Sequence, residues 1–95
     1  MTPEGKVKAK LKKSLSTWPE LYQYWPVPGG FGATTVDVLI CWRGSWVAIE
    51  CKRAGVREPT PQQAAVMKQM RAAGAKTWLV TANAKGDLVW IEQVD

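Results

Sequence analysis

The sequence predicts an α/β fold, a small mixed β-sheet flanked by helices in the order helix, hairpin, helix, strand, strand. Three observations carry that expectation. Val7, Leu11 and Leu15 recur every four residues behind a helix-start signal. Two β-rich runs, 36–42 and 45–52, meet at Arg43-Gly44, which reads as a hairpin. A strand, a capped helix and a further strand then follow within roughly 35 residues, the length of a right-handed crossover that would pair 46–52 parallel with 77–81.

The elements follow in order. Thr2 is an N-cap candidate with Pro3 at the first helical position, and Lys6, Lys8, Lys10, Lys12 and Lys13 occupy the faces away from the apolar stripe. Gly5 weakens the first turn by about 1 kcal/mol relative to alanine. Residues 18–35 are dense in aromatics, and Pro26, Pro28, Gly29, Gly30 and Gly32 break regular structure, so the segment reads as a loop. The hairpin comes next, then a polar connection over 53–59. Thr60-Pro61 opens a second helix whose buried face is expected from Val66, Met67, Met70 and Ala73, with Gly74 ending it. Residues 77–81 and 88–92 are the last two strands, separated by a turn at Gly86-Asp87.

A chain of 95 residues is one domain, here 1–95, and its 46% hydrophobic and 22% charged residues are ordinary for a globular fold. No apolar run approaches the roughly 20 residues of a membrane span, and no apolar segment follows the basic N-terminus, so a cytoplasmic location is expected. The net charge of +5 favours an anionic partner, nucleic acid first. There is no histidine, which removes Ser-His and Cys-His catalysis, histidine metal ligands and a histidine base together. Cys41 and Cys51 lack C-x-x-C spacing and fall on opposite faces of the hairpin, so both are expected to be free. Catalysis, if any, must rest on carboxylates, lysines or a metal held by oxygens.

The hairpin supplies such a group. With Arg43-Gly44 as its loop, paired positions sum to 87 and Asp37 lies opposite Glu50, with Lys52 on the same face. Leu39, Ala48 and Trp46 share that face. Like charges opposed across a pair of strands destabilise it, and a hard divalent cation would compensate them. The plainer reading is a solvated ion pair of Lys52 with Glu50 or Asp37.

These residues carry a resemblance. Asp37, twelve residues, then Glu50-Cys51-Lys52 resembles the D…(D/E)-x-K signature of the restriction-endonuclease-like nuclease superfamily. The strings VDVLICWRGSWVAIECKRAG and TPQQAAVMKQMRAAGAK resemble more closely its virus-type replication-repair nuclease family, the VRR-NUC domain. Glu4, Asp37, Glu50, Lys52 and Gln63 match that family's motif positions in order and approximate spacing. Val36 stands where the family has proline before the aspartate, and Thr34 where it has glycine.

The resemblance implies a restriction-endonuclease-like core and hydrolysis of DNA phosphodiesters with Mg²⁺ or Mn²⁺, in phage or viral replication, recombination or repair. It implies that Asp37, Glu50 and the main-chain carbonyl of Cys51 bind the metal. Lys52 would orient or deprotonate the attacking water, and Glu4 and Gln63 would join the site. Branched DNA as substrate and a homodimer are further implications, and six tryptophans in so short a chain fit an aromatic interface. Two of these residues have rival roles. Glu4 in a first helical turn meets a favourable dipole. Thr60-Pro61-Gln62-Gln63 fits a capping box, in which Gln63 bonds back to the Thr60 N–H; Gln63 is preferred to Gln62 for the site. The alternatives to a nuclease are a non-catalytic nucleic-acid-binding module on the same fold, or a structural phage protein with a basic patch.

Overall fold

The computed structural model describes residues 1–27 and 35–95. Thr2 caps helix α1 (Pro3–Leu15): its Oγ1 accepts the Gly5 N–H at 2.9 Å. A Cβ at Gly5 would fall 2.9 Å from that same oxygen, so the glycine suits the cap. Val7, Leu11 and Leu15 are buried, as their spacing predicts.

Five strands form one sheet in sequence order: β1 (Tyr22–Tyr24), β2 (Val38–Trp42), β3 (Ser45–Cys51), β4 (Lys76–Ala82) and β5 (Leu88–Gln93). The β2–β3 hairpin has the expected register, from Trp42 opposite Ser45 to Val38 opposite Ile49. Arg43 and Gly44 both take positive φ, 50° and 80°, as a tight hairpin turn matched to strand twist requires. β3 and β4 are parallel, joined by helix α2 (Pro61–Ala72), and β5 returns antiparallel to β4. The parallel pairing of β3 with β4 stands as the sequence predicts.

Three expectations need correction. Residues 18–27 are not all loop: β1 pairs antiparallel with β2, Tyr22 opposite Cys41. Alternating Tyr-Gln-Tyr suits an edge strand, and the neighbouring prolines and glycines hid it. The first hairpin strand begins at Val38, because Asp37 sits in a bend just before it. On α2, Met67 alone is fully buried; Val66 and Met70 are half-buried and Ala73 is exposed. The predicted glycines and proline at 28–32, and Thr34, lie outside the described residues.

The two helices cover opposite faces. α1 packs Val7, Leu11 and Leu15 onto Val38, Ile40, Val47, Ile49, Cys51, Val80 and Ala82. On the other face Met67 of α2 packs with Val36 and Ala48, flanked by Leu39 and Met70. No helix among the described residues is long and apolar enough to cross a membrane.

Candidate active site

The end of β3 and the start of α1 meet at one edge of the molecule, and the charged residues singled out from the sequence gather there. Glu50 is buried, 4% exposed, next to last on β3, where the other buried side chains are all apolar. The Asp37 bend brings its carboxylate onto the end of β3, where Oδ2 accepts the Cys51 N–H at 2.7 Å. The ladder has already ended at Val38–Ile49, so Asp37 reaches Glu50 from a bend and not as the directly opposed strand residue expected. The outcome for the charges is the same: the two carboxyl groups are neighbours.

Their proximity bears on the protonation of Glu50. Burial first, then hydrogen bonding to Asp37 and its negative charge, push the Glu50 carboxyl up to about 9. Lys52 pulls it the other way, by less. Glu50 Oε2 is buried without a hydrogen-bond partner. A buried, unanswered carboxylate oxygen beside a second carboxylate is an arrangement that a proton or a cation relieves.

Lys52 is fixed by its backbone. Its N–H donates to the Val80 carbonyl at 2.9 Å, and the following carbonyl, that of Arg53, accepts from the buried Thr81 hydroxyl at 2.7 Å. Lys52 is half-buried and makes no ion pair at contact distance among the described residues, so the surface pair with Glu50 or Asp37 is not formed. Because Lys52 N–H points to β4, the N–H and C=O of Cys51 point to the opposite side, toward Asp37.

The cation that does contact the carboxylates is Lys8. Its Nζ lies 3.0 Å from Asp37 Oδ1 and 3.9 Å from Glu4 Oε2. Burial pulls the Lys8 ammonium down, but the Asp37 hydrogen bond and the charges of Asp37 and Glu4 outweigh it, and the net shift is upward. The sequence reading assigned Lys8 to a solvated face. The signal that finds it is the i, i+4 row Glu4–Lys8, which runs beside the buried Val7–Leu11 row.

Glu4 thus stands at the rim of the cluster through Lys8, half-exposed. Gln63 caps α2: its Oε1 accepts the Thr60 N–H at 2.9 Å, and its own N–H donates to Thr60 Oγ1 at 3.2 Å. The capping-box reading of Gln63 is therefore realised, and no hydrogen bond joins Gln63 to Asp37, Glu50 or Lys52. Both cysteines are free; burial, followed by the Asp37 charge, pushes the Cys51 thiol up to about 12, which keeps it protonated and inert.

The donor set fits a hard divalent cation in one respect and lacks in another. The orphaned Glu50 oxygen, Asp37 and the Cys51 carbonyl are oxygen ligands of the sort magnesium takes, with water completing its shell. No group of three or more His, Cys, Asp or Glu side chains is arranged around a common point among the described residues. In comparisons with known proteins, no family model, no curated protein and no solved structure matches the chain.

Proposed function

We propose that the protein is a divalent-metal-dependent DNA nuclease with its site at the end of β3. The observation that carries the reading is the buried Glu50 beside the half-buried Asp37, with an unanswered Glu50 oxygen and a lysine just past the end of β3. Asp37, Glu50 and the Cys51 carbonyl would hold Mg²⁺ or Mn²⁺. When bound, such a cation supplies a water of lowered pKa and neutralises charge on the phosphate. Lys52, unpaired at contact distance and anchored through its backbone, orients that water or stabilises the oxyanion. Lys8 holds Asp37 in place from the α1 side, and Glu4 sets the position of Lys8. The resemblance to VRR-NUC domains, a restriction-endonuclease-like core and a phage or viral setting belong to this reading, as does a homodimer acting on branched DNA in the cytoplasm. Incubation with duplex, flap and four-way-junction DNA, with and without Mg²⁺ or Mn²⁺, tests it. Metal-dependent cleavage lost in Asp37→Ala supports the reading; no cleavage of any of the three removes it.

One observation favours a second reading, a DNA-binding module without cleavage. Both Asp37 oxygens already have donors, Lys8 Nζ and the Cys51 N–H. On that reading Lys8 takes the place of the metal, and calorimetric titration with Mn²⁺ gives no binding heat.

A further inference from the structure

At the opposite end of the sheet from the carboxylates, a second concavity opens on the α1 face. Its volume is about 540 Å³, within the roughly 300–1,000 Å³ of small-ligand sites. Four indoles form a continuous wall. Trp42 and Trp18 have ring centroids 4.9 Å apart, Trp18 and Trp90 stack at 5.8 Å, and Trp90 meets Trp78 edge-on at 6.1 Å. Ile40 and Val47 line the same cavity, and two exposed cations, Arg43 and Lys76, complete its lining. Trp42 Nε1 is buried there without an acceptor.

Arg43 is the telling residue. It occupies a hairpin position at φ 50°, where glycine or asparagine sits without strain and a long side chain does not. Its guanidinium lies 4.8 Å from the centre of the Trp42 ring. A strained cation kept beside an aromatic cavity points to a use for its charge. Flat apolar walls select a flat ring, cations beside them select an anion, and the two together describe a nucleotide.

We propose that this cavity seats one unpaired nucleotide of a DNA strand, its base among the indoles and its phosphate against Arg43 and Lys76. The choice of DNA as the polymer rests on the nuclease reading above. Along β3, Ser45 at the cavity is five residues from Glu50, about 17 Å at 3.3 Å per residue. Alternation along β3 puts Glu50 with Ala48 on the α2 face, so the cavity and the Glu50 carboxyl lie on opposite faces of the sheet.

The test is a fluorescence titration of the whole chain in chelator, where no cleavage occurs. A short oligothymidylate, an abasic oligonucleotide of equal length, thymidine monophosphate and inorganic phosphate are the four probes. Saturable quenching of tryptophan emission is expected with the oligothymidylate and not with the abasic strand. Arg43→Asn, which suits the turn, and Lys76→Glu should each weaken that binding by about tenfold or more without lowering the melting temperature. Equal quenching by the abasic strand or by phosphate overturns the proposal, as does an unchanged affinity in both variants. Equal affinity for the free monophosphate and the strand overturns its assignment to a polymer. A cleavage assay of the wild type in Mn²⁺ separates the two readings. Cleavage without base-dependent quenching removes the cavity proposal alone; quenching without cleavage upholds it and removes the nuclease.

Discussion

At the scale of single residues, Glu50 makes the sharpest statement. Its carboxyl is raised from an ordinary 4.5 to about 9, so the folded protein holds that proton more tightly than the unfolded chain. A group shifted in this direction contributes stability that is intact below its unfolded pKa and is lost as pH rises through the folded one. In chelator the melting temperature should therefore fall between pH 4.5 and about 9. Glu50→Gln should flatten that decline; a parallel slope in the variant would assign the pH dependence to other groups. Lys52 has a different signature. Lys52→Met keeps the stem and removes the charge, and on the nuclease reading it lowers cleavage by about 10² or more at unchanged melting temperature. A variant that cleaves near the wild-type rate would take lysine out of the mechanism. Lys8 faces the same carboxylates as a competitor for any cation. Lys8→Met should destabilise the metal-free protein and tighten Mn²⁺ binding in a calorimetric titration. Unchanged affinity would mean that the ammonium and the metal do not share Asp37.

At the scale of elements, the β2–β3 turn trades stability for a side chain. A non-glycine residue in left-handed backbone costs roughly 1–2 kcal/mol. Arg43→Gly should raise the unfolding free energy by up to about 1 kcal/mol once the lost Trp42 contact is counted, seen as a higher midpoint of chemical denaturation. A lower midpoint would show that the stacked guanidinium outweighs the strain. The same turn shows why so much of the site was legible in the sequence. Two residues fixed the hairpin loop, the loop fixed the register, and the register set Val38 opposite Ile49, leaving Asp37 one residue beyond the ladder. Capping chemistry did as much for the helices, since Thr2-Pro3 and Thr60-Pro61 each open one. Tertiary placement was not legible. The bend at Asp37, the seat of Lys8 and the β1 edge strand depend on where α1 and residues 22–24 dock, and local spacing does not encode that. The tryptophans were visible as a surplus, but an interface and a cavity make the same demand on composition.

At the scale of the whole molecule, the proposed metal site would couple folding to a ligand. A metal that binds only the folded state stabilises it by about 2.7 kcal/mol at a hundredfold excess over its Kd. Thermal melts with and without millimolar Mg²⁺ should separate in the wild type and coincide in Asp37→Asn. Coincident wild-type melts would set the site aside as a metal centre. The two candidate sites also bracket the molecule. α1 runs from the carboxylates near Glu4 toward Trp18, about 20 Å over its 13 residues, and its lysines lie along that path. Phosphates between the two ends would meet positive charge throughout, so binding of a strand should weaken steeply with added salt.

The docking of α1 on β3, β4 and β5, with Lys10 donating to the Gly86 carbonyl, has a consequence for biosynthesis. The helix leaves the ribosome before the strands it packs on, and its seat is complete only when residues 88–93 have been made. At roughly 5–20 residues per second, Val7, Leu11 and Leu15 wait several seconds for their partners. Through that interval the growing chain carries a lysine-rich amphipathic helix with nothing to cover its greasy side.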